Sequence, residues 1–147
     1  MSQGTFNKVK PTDRRMYGPR KLLVCGWPAD QQSELLQLLE KIGITEAPVI
    51  FLTDDQLDQA LEQVLELPHC SGLGQTSDTP RAVVLSGLTE QELHAVISAY
   101  RRRRLPEQLW ASLTPTSARW PVRRLLRELA SEREAFQRMQ AQKKRPR

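Results

Sequence analysis

Four short apolar runs, each followed by a stretch with helical periodicity, constrain the fold of this chain most strongly. The runs cover residues 22–25, 48–53, 82–85 and 109–114. Short apolar runs that end in Gly, Pro or other turn residues are typical of strands buried on both faces of a sheet. Their alternation with helices predicts an α/β fold with a mostly parallel sheet.

The first and third helices have clear end signals. The first is expected to start at Ala29 or Asp30 and to stop at Gly43. The third is expected to start at Thr89, where Glu92 completes a capping box.

The second and fourth helices are recognised by their apolar positions. The second is expected to start at Asp54 or Asp55, with an apolar face that consists of Leu57, Leu61, Val64 and Leu65. The fourth is expected to run from Pro121, which displaces Trp120 from the helical region, to about Gln140. Its inner face is expected to consist of Val122, Leu125, Leu126, Leu129 and Phe136.

The second half of the chain repeats the pattern of the first half at a constant distance. A shift of 61 positions carries Gly26 onto Gly87 and the Leu-Thr pair at Thr53 onto the Leu-Thr pair at Thr114. These matches favour a duplicated β-α-β-α unit over a chance match of apolar positions. The chain is therefore divided into a flexible basic arm (1–20), one α/β domain (21–140) and a basic tail (141–147). The domain consists of a first repeat (21–67), a linker (68–80) and a second repeat (81–140).

Two right-handed crossovers joined through a linker predict a four-stranded sheet with strand order 2-1-3-4 and helices on both faces. The first and third strands are then expected to end side by side, where ligands of open α/β sheets bind. Two glycine turns, two helix N-termini and an indole at this point suit a small anion or a nucleotide-like ligand. The residues concerned are Gly26, Trp27, Ser86, Gly87 and Thr89. The alternative is that the glycines only allow tight packing, since neither G-x-G-x-x-G nor G-K-[ST] is present.

A second candidate site is the turn between the fourth strand and the fourth helix. Its hydroxyls, its guanidinium and the free N–H groups of the helix suit a phosphate or a carboxylate. The alternative is a structural turn, closed by local hydrogen bonds, in which an indole covers the edge of the core. The residues concerned are Thr114, Thr116, Ser117, Arg119 and Trp120.

Positive charge is concentrated at the ends of the chain and in two helices. The net charge is +5, and the first 21 residues carry six Lys/Arg against one Asp. Basic ends can contact nucleic acid or acidic proteins, or they can be solubilising tails. Helix arginines can bind phosphates, although cations at a helix C-terminus also stabilise the helix. The helix arginines are Arg101, Arg102, Arg103, Arg104, Arg123, Arg124 and Arg127.

Signals for catalysis and for metal binding are weak. Cys25 ends a strand near a helix N-terminus, where a thiol pKa can fall, but no motif places His69 or His94 as its base. The spacing of these residues and Cys70 does not support a metal site. The helix dipole accounts for the acids at the start of the second helix, which are Asp54, Asp55 and Asp58. We therefore predict no catalytic residue, no metal and no cofactor.

Composition indicates a soluble globular protein. The chain is 39% apolar and 27% charged, and no apolar run approaches the roughly 20 residues that span a bilayer. The N-terminus lacks the apolar core of a signal peptide, so we expect a cytoplasmic location and no membrane contact. Cys25 and Cys70 are expected to be reduced thiols.

Three stretches of the second half resemble a family of bacterial proteins. They read Arg81-Ala-Val-Val-Leu-Ser-Gly-Leu-Thr, then Leu-Trp-Ala-Ser-Leu-Thr-Pro-Thr-Ser-Ala-Arg-Trp-Pro, and Leu125-Leu-Arg-Glu-Leu129. The family is domain of unknown function 3783 (DUF3783), and the resemblance covers roughly residues 80–136. The first half looks like the N-terminal extension of longer members. The resemblance implies a bacterial cytosolic protein, and it brings no activity, cofactor or catalytic residue with it.

The sequence therefore favours a noncatalytic α/β binding or regulatory domain for a small anionic ligand or a protein partner. The alternative is a nucleic-acid or ribosome-associated accessory protein that acts through the basic ends and the helix arginines. An enzyme with Cys25 as a thiolate nucleophile is the third interpretation.

Overall fold

The computed structural model describes residues 14–144, which form a four-stranded sheet with helices packed on it. The strands are β1 (Lys21–Cys25), β2 (Val49–Phe51), β3 (Ala82–Ser86) and β4 (Leu109–Ser112). The helices are α1 (Gln32–Lys41), α2 (Leu61–Val64), α3 (Glu90–Arg102) and α4 (Val122–Lys144). Short 3-10 turns precede α1, α2 and α4, at Ala29–Gln31, Asp54–Gln56 and Ser117–Arg119.

The predicted α/β class and the strand order 2-1-3-4 are confirmed. β1 pairs in parallel with β2, and β3 pairs in parallel with β4. The two central strands are antiparallel, since Lys21 lies opposite Ser86 and Cys25 lies opposite Ala82. The carboxyl ends of β1 and β3 therefore lie at opposite ends of the sheet. The expectation that these two strands end side by side is wrong.

The route of residues 68–81 explains the direction of β3. The Cys70 N–H donates to Val49 O at 2.7 Å, so this segment passes along the outer edge of β2. The Gly26 N–H then donates to Ser77 Oγ at 2.9 Å. The chain thus reaches β3 from the carboxyl end of β1, and β3 has to run back along it. Most of the segment expected to be a surface linker is exposed, and these hydrogen bonds join it to the edge of the sheet.

Side chains that alternate along the strands form two cores, one on each face of the sheet. Leu22 and Val24 of β1 belong to the core that packs against α1 and α3. Leu23 and Cys25 belong to the core that packs against α2 and α4. The alternation follows from the two-residue period of a strand. Helices therefore cover both faces of the sheet, as predicted.

The second helix is much shorter than predicted. The helix expected from Asp54 onward is divided into a 3-10 turn and the four-residue α2. Between them, Ala60 is extended and forms an isolated antiparallel bridge with Pro121. The Leu61 N–H donates to Trp120 O at 2.9 Å. A continuous helix is excluded because this connection between the halves requires an extended backbone at Ala60.

The last helix starts where predicted and runs further. Trp120 is extended and α4 begins after Pro121, because a proline disfavours helical geometry in the residue before it. Phe136 is 60% exposed, so its assignment to the inner face is wrong; the contact with the core ends near Ala130. The inner-face residues of the first turns are buried as predicted, namely Val122, Leu125 and Leu126. In the described part of the chain, no helix combines the length and the apolar character needed to cross a membrane.

The end of the predicted basic arm is held against the sheet. Arg15 forms an antiparallel bridge with Thr89, and the Met16 N–H donates to Leu88 O at 2.8 Å. These residues are therefore part of the fold. The remainder of the predicted arm and the end of the predicted tail lie outside the described residues, at 1–13 and 145–147.

Residues that are 61 positions apart occupy equivalent places in the sheet. Leu23 lies opposite Val84, its own counterpart, at the centre of the β1–β3 ladder. Ala60 likewise lies opposite its counterpart Pro121 in the isolated bridge. A two-fold axis through the Leu23–Val84 pair therefore relates the registers of the two halves.

Gly87→Ala is expected to lower the free energy of unfolding by about 3 kcal/mol, from a left-handed backbone and a steric clash. Gly87 has a φ of 68°, and a Cβ there would lie 2.4 Å from Gly18 O. Gly43→Ala is the matched control, because Gly43 has a φ of 81° but nothing within 4 Å of the added Cβ. Equal losses for the two variants in urea denaturation would contradict the close packing at Gly87.

Candidate functional site

The structure separates the two turns that were expected to form one ligand site. Gly26 and Trp27 follow β1 at one end of the sheet, whereas Ser86, Gly87 and Thr89 lie at the opposite end. The expected common site is wrong because β3 runs antiparallel to β1.

Most of these residues have contacts within the protein, although the buried Ser86 Oγ has no hydrogen-bond partner in the described chain. A Cβ on Gly26 would lie 2.5 Å from two backbone carbonyl oxygens, so this glycine permits the close approach of two segments. Trp27 and Ser86 are buried. Thr89 Oγ1 accepts the Glu92 N–H at 3.0 Å, which confirms the predicted capping box. These contacts agree with the interpretation that the turns are structural.

The turn before α4 is closed by its own side chains. The Thr114 N–H donates to Ser117 Oγ and the Ser117 N–H donates to Thr114 Oγ1, both at 3.0 Å. Trp120 packs under the guanidinium of Arg124, with Cζ 4.1 Å from its ring centroid. Because its hydroxyls already bond one another, the turn fits the structural interpretation better than an anion site. Three residues of the expected site remain exposed, namely Thr114, Thr116 and Arg119.

Cys25 lies where a thiolate is disfavoured. It is fully buried in β1, and burial raises the pKa of its thiol to about 12. His69 Nδ1 accepts the Val49 N–H at 3.0 Å, and His94 is exposed on α3. Among residues 14–144, no three His, Cys, Asp or Glu side chains are grouped so that they could hold a metal ion.

The arginines at the end of α3 are mostly exposed. Arg103 pairs with Glu34 at 3.8 Å. The other three form no ion pair with another described residue, and they are Arg101, Arg102 and Arg104.

The arginines at the start of α4 are partly used within the protein. Arg123 Nε pairs with Asp58 Oδ1 at 2.9 Å, and Arg124 covers an indole. Arg123 and Arg127 line one cavity, whereas Arg101 lines a different one. The two groups of arginines therefore do not converge on a common cavity.

Residues from both halves meet where β1 ends and β3 begins. The Arg81 guanidinium lies over the indole of Trp27, with Cζ 4.0 Å from the ring centroid. Tyr100 packs against that indole and against Trp110, at ring-centroid distances of 5.8 and 5.4 Å. Trp27 Nε1 donates to Gln108 Oε1 at 2.6 Å. We name Trp27, Arg81, Tyr100, Gln108 and Trp110 the Arg81 cluster.

Two donor groups of the Arg81 cluster are buried without an acceptor in the described chain. Gln108 is 8% exposed, and its Nε2 has no partner. Its amide orientation follows from Trp27, because an indole N–H requires an oxygen. Arg81 donates from Nε to the Tyr100 hydroxyl at 2.9 Å and from Nη1 to Gln31 Oε1 at 2.8 Å, but Nη2 has no acceptor. Since an unsatisfied buried donor costs about 1–3 kcal/mol, an incoming acceptor would be favoured.

Tyr100 is a neutral phenol in this cluster. Burial is the main influence and raises its pKa, while the hydrogen bond from Arg81 acts in the opposite direction. The hydroxyl accepts from Arg81 and donates to Pro106 O. Its hydrogen bonds are thus made within the protein, and the unsatisfied donors of the cluster are the buried Arg81 Nη2 and Gln108 Nε2.

A cavity of about 500 Å³ lies beside the Arg81 cluster. Its volume is within the usual range for small-molecule sites. Glu107, on its wall, forms an ion pair with Arg133. The wall combines aromatic, amide and cationic groups, which come from Tyr100, Gln108, Trp110, Arg101 and Arg133.

An apolar cavity occupies the equivalent place in the first half. Its volume is about 460 Å³. The counterparts of Tyr100 and Gln108, at a distance of 61 positions, are Leu39 and Ala47, and both line it. The two cavities therefore have equivalent positions in the two halves, but one has an apolar wall and the other has a polar, aromatic and cationic wall.

All of the Arg81 cluster except Trp27 belongs to the second half of the chain. Residues 81–136 match the family model described as domain of unknown function, DUF3783. Residues 81–136 are therefore similar to this family, and we call them the DUF3783-like domain. No match was found among curated proteins or among solved structures. The whole described wall of the 500 Å³ cavity lies within the DUF3783-like domain.

Of the Arg81 cluster, the sequence proposes only Trp27 as a ligand contact, and it places Trp27 in a different site. Tyr100, Arg81, Gln108 and Trp110 are not among its candidate residues. One signal was present, because Arg81 lies 61 positions after Arg20 and both arginines directly precede a central strand.

Ser117→Ala is expected to lower the free energy of unfolding by about 1 kcal/mol, the usual net contribution of a hydrogen bond, because the Thr114 N–H loses its acceptor. Thr116→Ala is the matched control within the same turn, and its exposed side chain predicts a change within about 0.5 kcal/mol. Urea denaturation of the two variants measures the difference. If Ser117→Ala were neutral, the local hydrogen bonds would not be what closes this turn.

Proposed function

We propose that this chain is a noncatalytic binding domain for a small anionic ligand, which occupies the cavity beside the Arg81 cluster. The observation that carries this proposal is the buried Nε2 of Gln108, a donor without an acceptor on a residue that lines the cavity. Arg101 and Arg133 add positive charge to the same wall. An anion would thus find hydrogen-bond donors and a favourable electrostatic field in one place.

The aromatic residues suit the remainder of such a ligand. Tyr100 and Trp110 contact each other edge to face and form an apolar part of the wall. Small-molecule sites combine apolar and aromatic walls with a few placed polar groups. A compact ligand with a planar or apolar body and an acceptor group matches this arrangement.

The wall also favours binding over catalysis. Among the described residues that line this cavity there is no Ser, Cys or His, and the carboxylate of Glu107 is paired with Arg133. A nucleophile with an adjacent base is what covalent catalysis requires. The groups present can hold a ligand without reacting with it.

We also propose that the two halves arose by duplication of one unit and that the protein acts in the cytoplasm. The duplication is supported by the register, in which Leu23 and Val84 pair as counterparts. It implies that the first half is a diverged relative of the DUF3783-like domain. The reduced state expected of Cys25 and Cys70 supports the location.

A thermal-shift screen with nucleotides, inorganic phosphate and small carboxylates tests the binding proposal. A ligand at a hundredfold excess over its Kd contributes about 2.7 kcal/mol, which raises the Tm of a chain of this size by about 5–10 °C. Gln108→Glu is the informative variant, since it retains an oxygen for the Trp27 indole but places a carboxylate where the free donor was. We expect the shift to disappear in this variant.

Arg119→Ala is the matched control, because Arg119 is an exposed arginine outside the cavity. The Tm shift should be the same in this variant as in the wild type. A shift that survives Gln108→Glu, or the absence of a shift with every anion, would refute the proposed site.

Nucleic-acid binding is the second candidate function, and the exposure of Arg101, Arg102 and Arg104 favours it. Neutralising three phosphate-binding arginines should weaken binding at every sequence and reduce the salt dependence. We expect the triple change of these residues to Gln to lower the slope of log K against log salt by about 2–3 for duplex DNA. An unchanged slope would exclude these arginines from the contact.

A further inference from the structure

Arg20 and Arg81 occupy equivalent positions at the two ends of the central strand pair. They are 61 positions apart, and each directly precedes its strand, β1 or β3. Their hydrogen-bond partners are also 61 positions apart, since Arg20 bonds Glu92 and Arg81 bonds Gln31. The chain therefore presents the same guanidinium twice, with a carboxylate partner at one end and an amide partner at the other.

At the first end the guanidinium is satisfied by the protein itself. Arg20 Nη1 and Nη2 donate to Glu92 Oε1 and Oε2 at 2.6 and 2.7 Å. Nε and Nη2 also donate to Thr45 O at 3.2 and 2.9 Å. The hydrogen bond from Arg20 is the main cause that lowers the pKa of Glu92 to about 2. This is the paired, fork-like geometry in which guanidinium and carboxylate bind most strongly.

At the second end the same geometry is incomplete. The Gln31 amide has a single oxygen, which accepts from Arg81 Nη1, and it carries no negative charge. Arg81 Nη2 is left without an acceptor. The face of the Trp27 indole, 4.0 Å from Arg81 Cζ, offsets part of the unpaired charge.

We propose that Arg81 binds the carboxylate of a small organic ligand, in the place that Glu92 takes on Arg20. This inference rests on the proposed binding function and names the anionic group. The two carboxylate oxygens bind Nη1 and Nη2, and the amide of Gln31, which is partly exposed, moves aside. Tyr100 bonds Arg81 and also lines the cavity, so the body of the ligand extends along Tyr100 into that space.

The test compares two substitutions of Gln31 in the full-length protein, with acetate, benzoate and inorganic phosphate as probes. Gln31→Glu supplies the missing carboxylate from the chain, as Glu92 does at the other end. We expect a higher Tm without any probe, and a carboxylate affinity at least about tenfold weaker than that of the wild type. Gln31→Ala removes the displaced amide instead, and we expect it to bind the carboxylates as well as or better than the wild type.

Three results would overturn this inference. One is a benzoate or acetate shift that Gln31→Glu retains and Gln108→Glu removes, in which case the binding function stands and the carboxylate contact with Arg81 does not. Another is stabilisation of the wild type by phosphate but by neither carboxylate, which also leaves the binding function intact. A Gln31→Glu variant that folds with an unchanged or lower Tm would show that no carboxylate position exists on Arg81.

Discussion

The antiparallel pairing of β1 with β3 is the interaction on which the rest of the structure depends. It joins two parallel strand pairs into one sheet, with Leu23 opposite Val84 at its centre. Because β3 starts where β1 ends, Trp27 of the first half comes to lie against Arg81 and Tyr100 of the second half. A parallel junction would have placed these groups at opposite ends of the sheet, and the Arg81 cluster would not exist.

Local signals in the sequence were sufficient for the four strands and their order, but not for the direction of β3 or for the length of the second helix. Apolar runs and caps depend on neighbouring residues, so the four strands, the cap at Thr89 and the start of α4 after Pro121 were predictable. The direction of β3 depends on the route of residues 68–81, where hydrogen bonds to Val49 and Gly26 replace any periodic pattern. The same kind of long-range pairing, at Ala60, ended the second helix early.

The candidate site could not be predicted from the sequence, because it also depends on contacts between residues that are far apart along the chain. Polar turns are readily interpreted as ligand sites in a sequence. In the structure, however, Thr114 and Ser117 form hydrogen bonds with each other. Arg81 and Gln108 directly precede two different strands, β3 and β4, and only the fold shows that each retains a buried donor without an acceptor. The equivalence of Arg81 with Arg20 then indicates which group would bind the free donor of Arg81. One end of the sheet contains the Arg20–Glu92 ion pair, and the other end lacks the carboxylate.

The direction of β3 is tested most directly by cross-strand nuclear Overhauser effects between the backbone protons of β1 and β3. Facing residues of antiparallel strands have Cα atoms about 4.5–5.5 Å apart, close enough for such contacts. The expected contacts run in opposite directions along the two strands, from Lys21 with Ser86 through Leu23 with Val84 to Cys25 with Ala82. In a parallel junction the contacts would run in the same direction along both strands, from Lys21 with Ala82 to Cys25 with Ser86. That result would contradict the antiparallel junction and with it the Arg81 cluster.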